Sequence, residues 1–175
     1  MNRGQYYQRA FTLVEVMVTL VIATILITIA APSFTDFYDN SRSESANSVI
    51  KQSFTSARSN AISYGAIVVL CPLTGSTCGS DWINGFDVFI DGNANGTYES
   101  SGDQLIRSID AFNSKDFIKT TVNTISFSAE GMLTGTSSSQ RFIYCPSSKT
   151  NENARGIEVS ISGKISTLTG AVNCS

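Results

Sequence analysis

Glu15 is the only charged side chain in the 21 residues from Phe11 to Ala31, a run otherwise built from Val, Ile, Leu, Ala and other uncharged residues. A carboxylate at the centre of a membrane helix costs about 2.5–3.5 kcal/mol on insertion scales and less near an end, so it is usually kept for a partner. Glu15 stands one helical turn after Phe11, and a cut between Ala10 and Phe11 would leave an α-amino group able to neutralise it in cis or on a neighbouring subunit. A glutamate that only snorkels to water is the plainer reading of the same placement. The chain holds no histidine, which removes imidazole acid–base chemistry, Ser-His-Asp and Cys-His nucleophiles, and zinc sites with His ligands. Asp87 and Asp91 form the one conceivable carboxylate pair, but strand alternation and a turn account for both. No catalytic residue and no cofactor is expected.

Three other groups carry possible chemistry. The four cysteines, Cys71, Cys78, Cys145 and Cys174, lack CxxC spacing. In an oxidising compartment an even count suggests two disulfides, for which three pairings exist. The chain-adjacent pairs, 71 with 78 and 145 with 174, are favoured because each clips a loop or a terminal segment without crossing the other. Their closed loops of 8 and 30 residues correspond to about 2.5 and 3.6 kcal/mol on the chain-entropy model. Asp91-Gly92-Asn93-Ala94-Asn95-Gly96 matches the first half of a calcium loop, with Asp91, Asn93 and Asn95 as oxygen donors. Gly102 stands where a bidentate glutamate is needed, so a polar hairpin is the preferred reading and no metal is expected. Arg141, Lys149, Arg155 and Lys164 give residues 141–175 a net charge of +2, against −5 for residues 63–140. They are the candidate DNA contacts of a chain whose net charge of −2 makes nucleic acid an unfavoured partner.

The elements that must position these groups follow from periodicity. The apolar run of 21 residues spans about 31 Å as a helix, close to a bilayer's hydrocarbon thickness. Arg3 and Arg9 precede it without an acid, which orients it with its start at the cytoplasm. Cleavage of a secretory signal after Ala30 or Ala31 is the competing reading. Beyond Pro32, apolar residues Phe34, Phe37, Tyr38, Ala46, Val49, Ile50, Phe54, Ala57 and Ala61 recur mostly three or four apart. This predicts an amphipathic continuation to about Ser63, with a bend near Pro32 and a solvated outer face on which Asp36, Asp39 and Glu44 balance Arg42, Lys51 and Arg58. After Gly65, seven short β-type segments are predicted, at 66–70, 86–90, 104–110, 124–128, 140–145, 156–161 and 164–168, with Ile157, Val159 and Ile161 on a buried face. The fold class is therefore α+β, with one long helix packed on a largely antiparallel sheet. Its expected divisions are 1–10, 11–31, 32–63 and 64–175.

Arg9-Ala10-Phe11-Thr12-Leu13-Val14-Glu15 resembles the type IV prepilin cleavage signal, with Ala10 in place of the usual glycine before the cut. Ala57-Arg58-Ser59-Asn60-Ala61, Cys71-Pro72, the stretch from Trp82 to Asp91, Ile125 to Gly131 and Ile157 to Lys164 resemble the GspH/FimT/FimU branch of minor pilins and pseudopilins. The resemblance implies a type IV pilin fold. It also implies cleavage at Ala10 and methylation of Phe11 by a prepilin peptidase, docking through Glu15, and a helix-bending role for Pro32. The function it implies is a minor pilin of the FimU type, incorporated into the pilus and helping to initiate assembly. Its partners would be other minor and major pilins and the inner-membrane assembly platform. The chain would be single-pass in the inner membrane, its head periplasmic, until it joins an extracellular fibre. A DNA-binding minor pilin of the FimT type and a type II secretion pseudopilin of the GspH type are the alternatives.

Overall fold

The computed structural model describes residues 11–175, apart from the side chains at 29–33. Ala10 and the rest of the expected leader lie outside the described residues, and so does the bend expected at Pro32. One helix, α1 (Leu13–Tyr64), contributes to two compact units divided after Tyr38. Thr12 opens α1: its hydroxyl accepts the Glu15 N–H at 3.2 Å, an N-cap bond that satisfies one of the free donors of the first turn. Gly65, in the left-handed region at φ +62°, closes it, and the Ala66 N–H reaches back to the Ala61 carbonyl at 3.2 Å.

In the first unit the described side chains of residues 13–28, uncharged apart from Glu15, lie open: Leu13, Met17, Leu20 and Leu26 are 60–76% exposed. Phe34, Phe37 and Tyr38 are open too, so the stripe that backs the sheets does not begin at Phe34 as periodicity suggested; its buried members are Ala46, Ile50, Phe54, Ala57 and Ala61. Among the described residues no helix is long and apolar enough to cross a membrane. The described apolar side chains run from 13 to 28 and stop where residues 29–33 fall outside the description.

The second unit, Asp39–Ser175, carries the sheets. Strands β1 (Ile67–Cys71), β2 (Leu73–Thr74) and β3 (Thr77–Cys78) lead into a single 3-10 turn at Trp82–Asn84. Then come β4 (Phe86–Asp91), β5 (Gln104–Ile109), β6 (Phe117–Lys119), β7 (Ile125–Phe127), β8 (Leu133–Thr134), β9 (Gln140–Cys145), β10 (Arg155–Val159) and β11 (Ile165–Thr167). All pairings are antiparallel: one sheet in the order β5-β4-β1-β7-β8, a second in the order β11-β10-β9-β6, and the small hairpin β2-β3.

Alternation decides what each sheet buries. On β1, Val68 and Leu70 enter the main core with Ile50, Phe54, Ala57 and Ala61 of α1, while Val69 and Cys71 face the other side with Phe89. Phe142, Ile157 and Val159 bring the second sheet into the same main core. Ala57 and Ala61, fully buried, let helix backbone approach sheet closely, and Phe54 fills the space between them and Trp82, Phe86 and Phe142. Trp82 is 2% exposed and donates its indole N–H to the Val122 carbonyl at 3.0 Å, so it anchors the sheets to the helix. Ile161, expected on the buried face with Ile157 and Val159, is 43% exposed. β10 ends at Val159, because the Ser160 N–H pairs with the Lys164 carbonyl and the chain turns through Gly163 at φ +76°.

Candidate functional site

At the start of α1, Phe11 is 79% exposed and Glu15 is also open. The Glu15 backbone N–H is held by Thr12, so the first turn is fixed while the carboxylate stays available to a partner. Thr19, Thr24 and Thr28 each donate their hydroxyl to the carbonyl three residues earlier, at 2.8–2.9 Å. Their only side-chain donors are thus satisfied inside the helix, and this stretch presents apolar surface with little polar demand on its surroundings. An apolar surface this continuous marks a segment made for lipid or for other helices.

In the sheet-bearing unit, charged groups expected on a solvated helix face turn inward. Asp39 is 4% exposed: one carboxylate oxygen accepts from Arg42 Nη2 and the Ser147 hydroxyl, each at 2.9 Å, and the other accepts from Asn151 Nδ2 at 2.9 Å. Arg42 also pairs with Asp116 at 2.9 Å. Asp116, 3% exposed, takes the Ser147 N–H at 2.9 Å and the hydroxyl of fully buried Tyr144. Burial, followed by the neighbouring Asp116 carboxylate, pushes the Tyr144 phenol above its ordinary range, because both penalise the phenolate. The balance of charges along residues 36–58 hid this cluster. No sequence signal marks it; in the fold, Ser43, buried one turn after Asp39, lies on the same inward face. Lys51 and Arg58 also leave the solvated role: Lys51 Nζ donates to Thr167 Oγ1 at 3.0 Å, and Arg58 Nε donates to the Gly131 carbonyl at 2.8 Å.

The four candidate DNA contacts have different local partners. Arg141 on β9 pairs with Glu158 on β10 at 2.7 Å. Lys149 sits 5.5 Å from the Phe117 ring centre, and Arg155 Nη2 donates to Asn40 Oδ1 at 2.6 Å. Lys164 projects from the β10–β11 turn and is exposed.

The calcium-like loop is a turn tied by its own hydrogen bonds. Asp91, 3% exposed, accepts the Asn95 and Gly96 N–H groups at 3.2 and 2.8 Å. Asn93 and Asn95 both donate their side-chain amides to Glu99. Asn93 Oδ1 accepts the Asn95 N–H at 3.1 Å and Asn95 Oδ1 accepts the Thr97 N–H at 2.8 Å, and among the described residues no His/Cys/Asp/Glu group that could hold a metal is present. Asp87 accepts the Ser108 hydroxyl, so both members of the conceivable carboxylate pair hold hydrogen bonds within the chain.

The cysteines are bonded as Cys71–Cys78 and Cys145–Cys174, with Cα separations of 5.4 and 6.2 Å. The first closes the β2–β3 hairpin. Beside it the Tyr98 N–H reaches the Ser76 carbonyl, while the Tyr98 ring meets Phe89 edge-on at 5.3 Å. The second ties the end of β9 to residue 174, where the Cys174 N–H also reaches the Lys149 carbonyl at 2.7 Å.

Comparison with known proteins adds independent findings. The family described as "Type II transport protein GspH" matches residues 46–163, and the "Prokaryotic N-terminal methylation motif" matches residues 6–31. Among solved structures, the type IV minor pilin FimU of Pseudomonas aeruginosa is similar in two crystal forms. In one, identity is 22% over 79% of this chain and 99% of that chain, with a TM-score of 0.61. In the other, identity is 23% over 75% and 99%, with a TM-score of 0.58. The minor pseudopilin EpsH from the type 2 secretion system of Vibrio cholerae is similar at 9% identity over 73% and 96%, with a TM-score of 0.52. Comparison with curated proteins returns no match.

Proposed function

This chain belongs to the GspH family, and from that premise we propose that it is a minor pilin of the FimU type, built into a type IV pilus and helping to start its assembly. The coarser statement stands without the proposal: the chain has the type IV pilin fold and a minor pilin or pseudopilin role in a type IV pilus or in type II secretion. The relatives it resembles are structural pilins, which interact with other pilins. The FimU reading is supported by the higher TM-score with FimU, 0.61 against 0.52 for the pseudopilin.

The observation that carries the proposal is the exposed apolar stretch that begins one turn before Glu15, inside the matched methylation motif. In this reading a prepilin peptidase cuts after Ala10 and methylates Phe11. The segment 11–31 waits in the inner membrane with the sheet-bearing unit in the periplasm. It then leaves lipid for a bundle of similar helices, exchanging lipid contacts for close side-chain packing. Glu15 supplies direction to that exchange. Its carboxylate, unpaired it would be costly in hydrocarbon, meets the Phe11 amine of a neighbour and selects the register in which the two charges coincide. The sequence has no Gly-rich Lys-Ser/Thr nucleotide loop, so the energy for extraction comes from a separate motor through the assembly platform. The nucleic-acid alternative is disfavoured by the in-chain partners of Arg141, Lys149 and Arg155.

Replacing Glu15 by Ala tests the proposal. The variant is expected to insert in the membrane as wild type does, yet to be lost from sheared filaments. A Glu15→Ala protein recovered in filaments at the wild-type level would refute the pairing.

A further inference from the structure

Two adjoining hollows run along the outer side of α1 in the sheet-bearing unit. One, of about 370 Å³, is lined by Arg58, Ile62 and Lys164 among others. The next, of about 470 Å³, is lined by Lys51 and by small polar side chains of α1. Thr55 and Ser59 belong to both, so the two form one groove. Its chemistry is one-sided, since three cations line it and no carboxylate does.

Among the described residues, the Lys51 and Arg58 side chains meet neutral oxygens. Lys51 donates to the Thr167 hydroxyl, and Arg58 donates to the Gly131 carbonyl and, at 3.4 Å, to the Ser162 carbonyl. Lys164 is exposed, and its backbone alone is hydrogen-bonded, to Ser160, among the described residues. Glu130, the acid next to Gly131 in sequence, is fully open to solvent, where a hydrogen bond from Ser128 lowers its pKa. These bonds fix the geometry of the groove and leave its positive charge uncancelled. Ile62, 51% exposed, adds an apolar contact at one end.

We propose that this groove receives an acidic segment of a neighbouring pilin-type subunit, its carboxylates meeting Lys51, Arg58 and Lys164 and an apolar side chain resting on Ile62. The inference rests on the proposed incorporation of the chain into a filament and names the surface and the partner chemistry that incorporation would use. Charge complementarity selects the occupant. A DNA duplex gains affinity by having several phosphates neutralised at once, whereas this groove offers three cations on a chain of net charge −2. A peptide carrying one or two carboxylates matches that number, and the Ser59 hydroxyl suits its backbone.

The test is zero-length carbodiimide coupling on sheared filaments carrying the full-length protein. The reagent activates a carboxylate, a lysine Nζ displaces the urea by-product, and an amide forms only where the two groups touched. Mass spectrometry is expected to find Lys51 or Lys164 joined to an Asp or Glu of a different pilin subunit. The charge-reversed variant Lys51→Glu/Lys164→Glu, confirmed as folded by an unchanged melting temperature, is expected to fall about fivefold or more in filaments. Filaments that contain the protein but yield no such link at either lysine would overturn the proposal. So would binding of a short fluorescent DNA duplex by the wild-type protein that is lost in Lys164→Gln. Absence of the wild-type protein from filaments by immunoblot is a separate result, which overturns the FimU reading and this inference with it.

Discussion

Tyr144 gives its hydroxyl to a carboxylate that already faces Arg42, and the pair Asp39 and Asp116 shares that guanidinium inside the protein. A buried cluster of this kind is expensive to break, because removing one member leaves the others desolvated and short of partners. The phenol's raised pKa has a definite sign for stability. The folded state holds the proton more tightly than the unfolded chain, so the contribution is complete below about pH 10, the ordinary phenol value. It is lost as pH rises through the folded value. Tyr144→Phe is expected to cost about 1–3 kcal/mol near neutrality, since Asp116 loses a donor. It should also flatten the loss of stability above about pH 10 relative to wild type. Melting temperatures of both proteins across that range measure it, and parallel alkaline slopes would contradict it. This cluster was not legible from sequence. Asp39 and Arg42 sit three apart among other charges, and only packing reveals that their side of α1 faces Asp116 and Tyr144, which lie far away in the chain.

At the scale of elements, Arg58 and two glycines join α1 to the β7–β8 and β10–β11 turns. Gly131 presents its carbonyl to Arg58, and a Cβ on Gly163 would stand 1.8 Å from that same carbonyl oxygen. The Leu133 N–H reaches the Ile161 carbonyl at 3.0 Å close by, so one five-stranded and one four-stranded sheet meet at this junction. Gly135 supplies the control. It has a similar positive φ, 71° against 76°, but nothing within 4 Å of its would-be Cβ. Both alanine variants carry the left-handed cost of about 1 kcal/mol, and Gly163→Ala is expected to lose a further ~1–3 kcal/mol from the clash. Equal losses in urea titrations of the two variants would count against the junction.

Periodicity read the long helix to within two residues of its bounds and found seven of the eleven described strands, where Val, Ile and Phe recur. It missed β2, β3, β6 and β8, two or three residues each, which are too short to show an alternation of their own. The four-residue spacing of Ala57 and Ala61 was visible beforehand, and it is the feature that lets the sheets lie close on α1.

For the whole molecule, two kinds of surface divide the work. The described part of α1 before residue 29 is open apolar surface with its threonine hydroxyls satisfied, suited to lipid and then to helices of other subunits. The sheet-bearing unit is closed by its core and two disulfides, and it offers charged loops and a basic groove to selective neighbours. The Phe11–Glu15 spacing was legible in the sequence because it is local, whereas the groove was not, since it joins side chains of α1 to Lys164 more than a hundred residues later. The most direct measurement is intact-mass and amino-terminal analysis of this protein recovered from sheared filaments. A chain that begins at an N-methylated Phe11 is the predicted result. A filament-free periplasmic chain that begins after Ala30 or Ala31 would contradict the account.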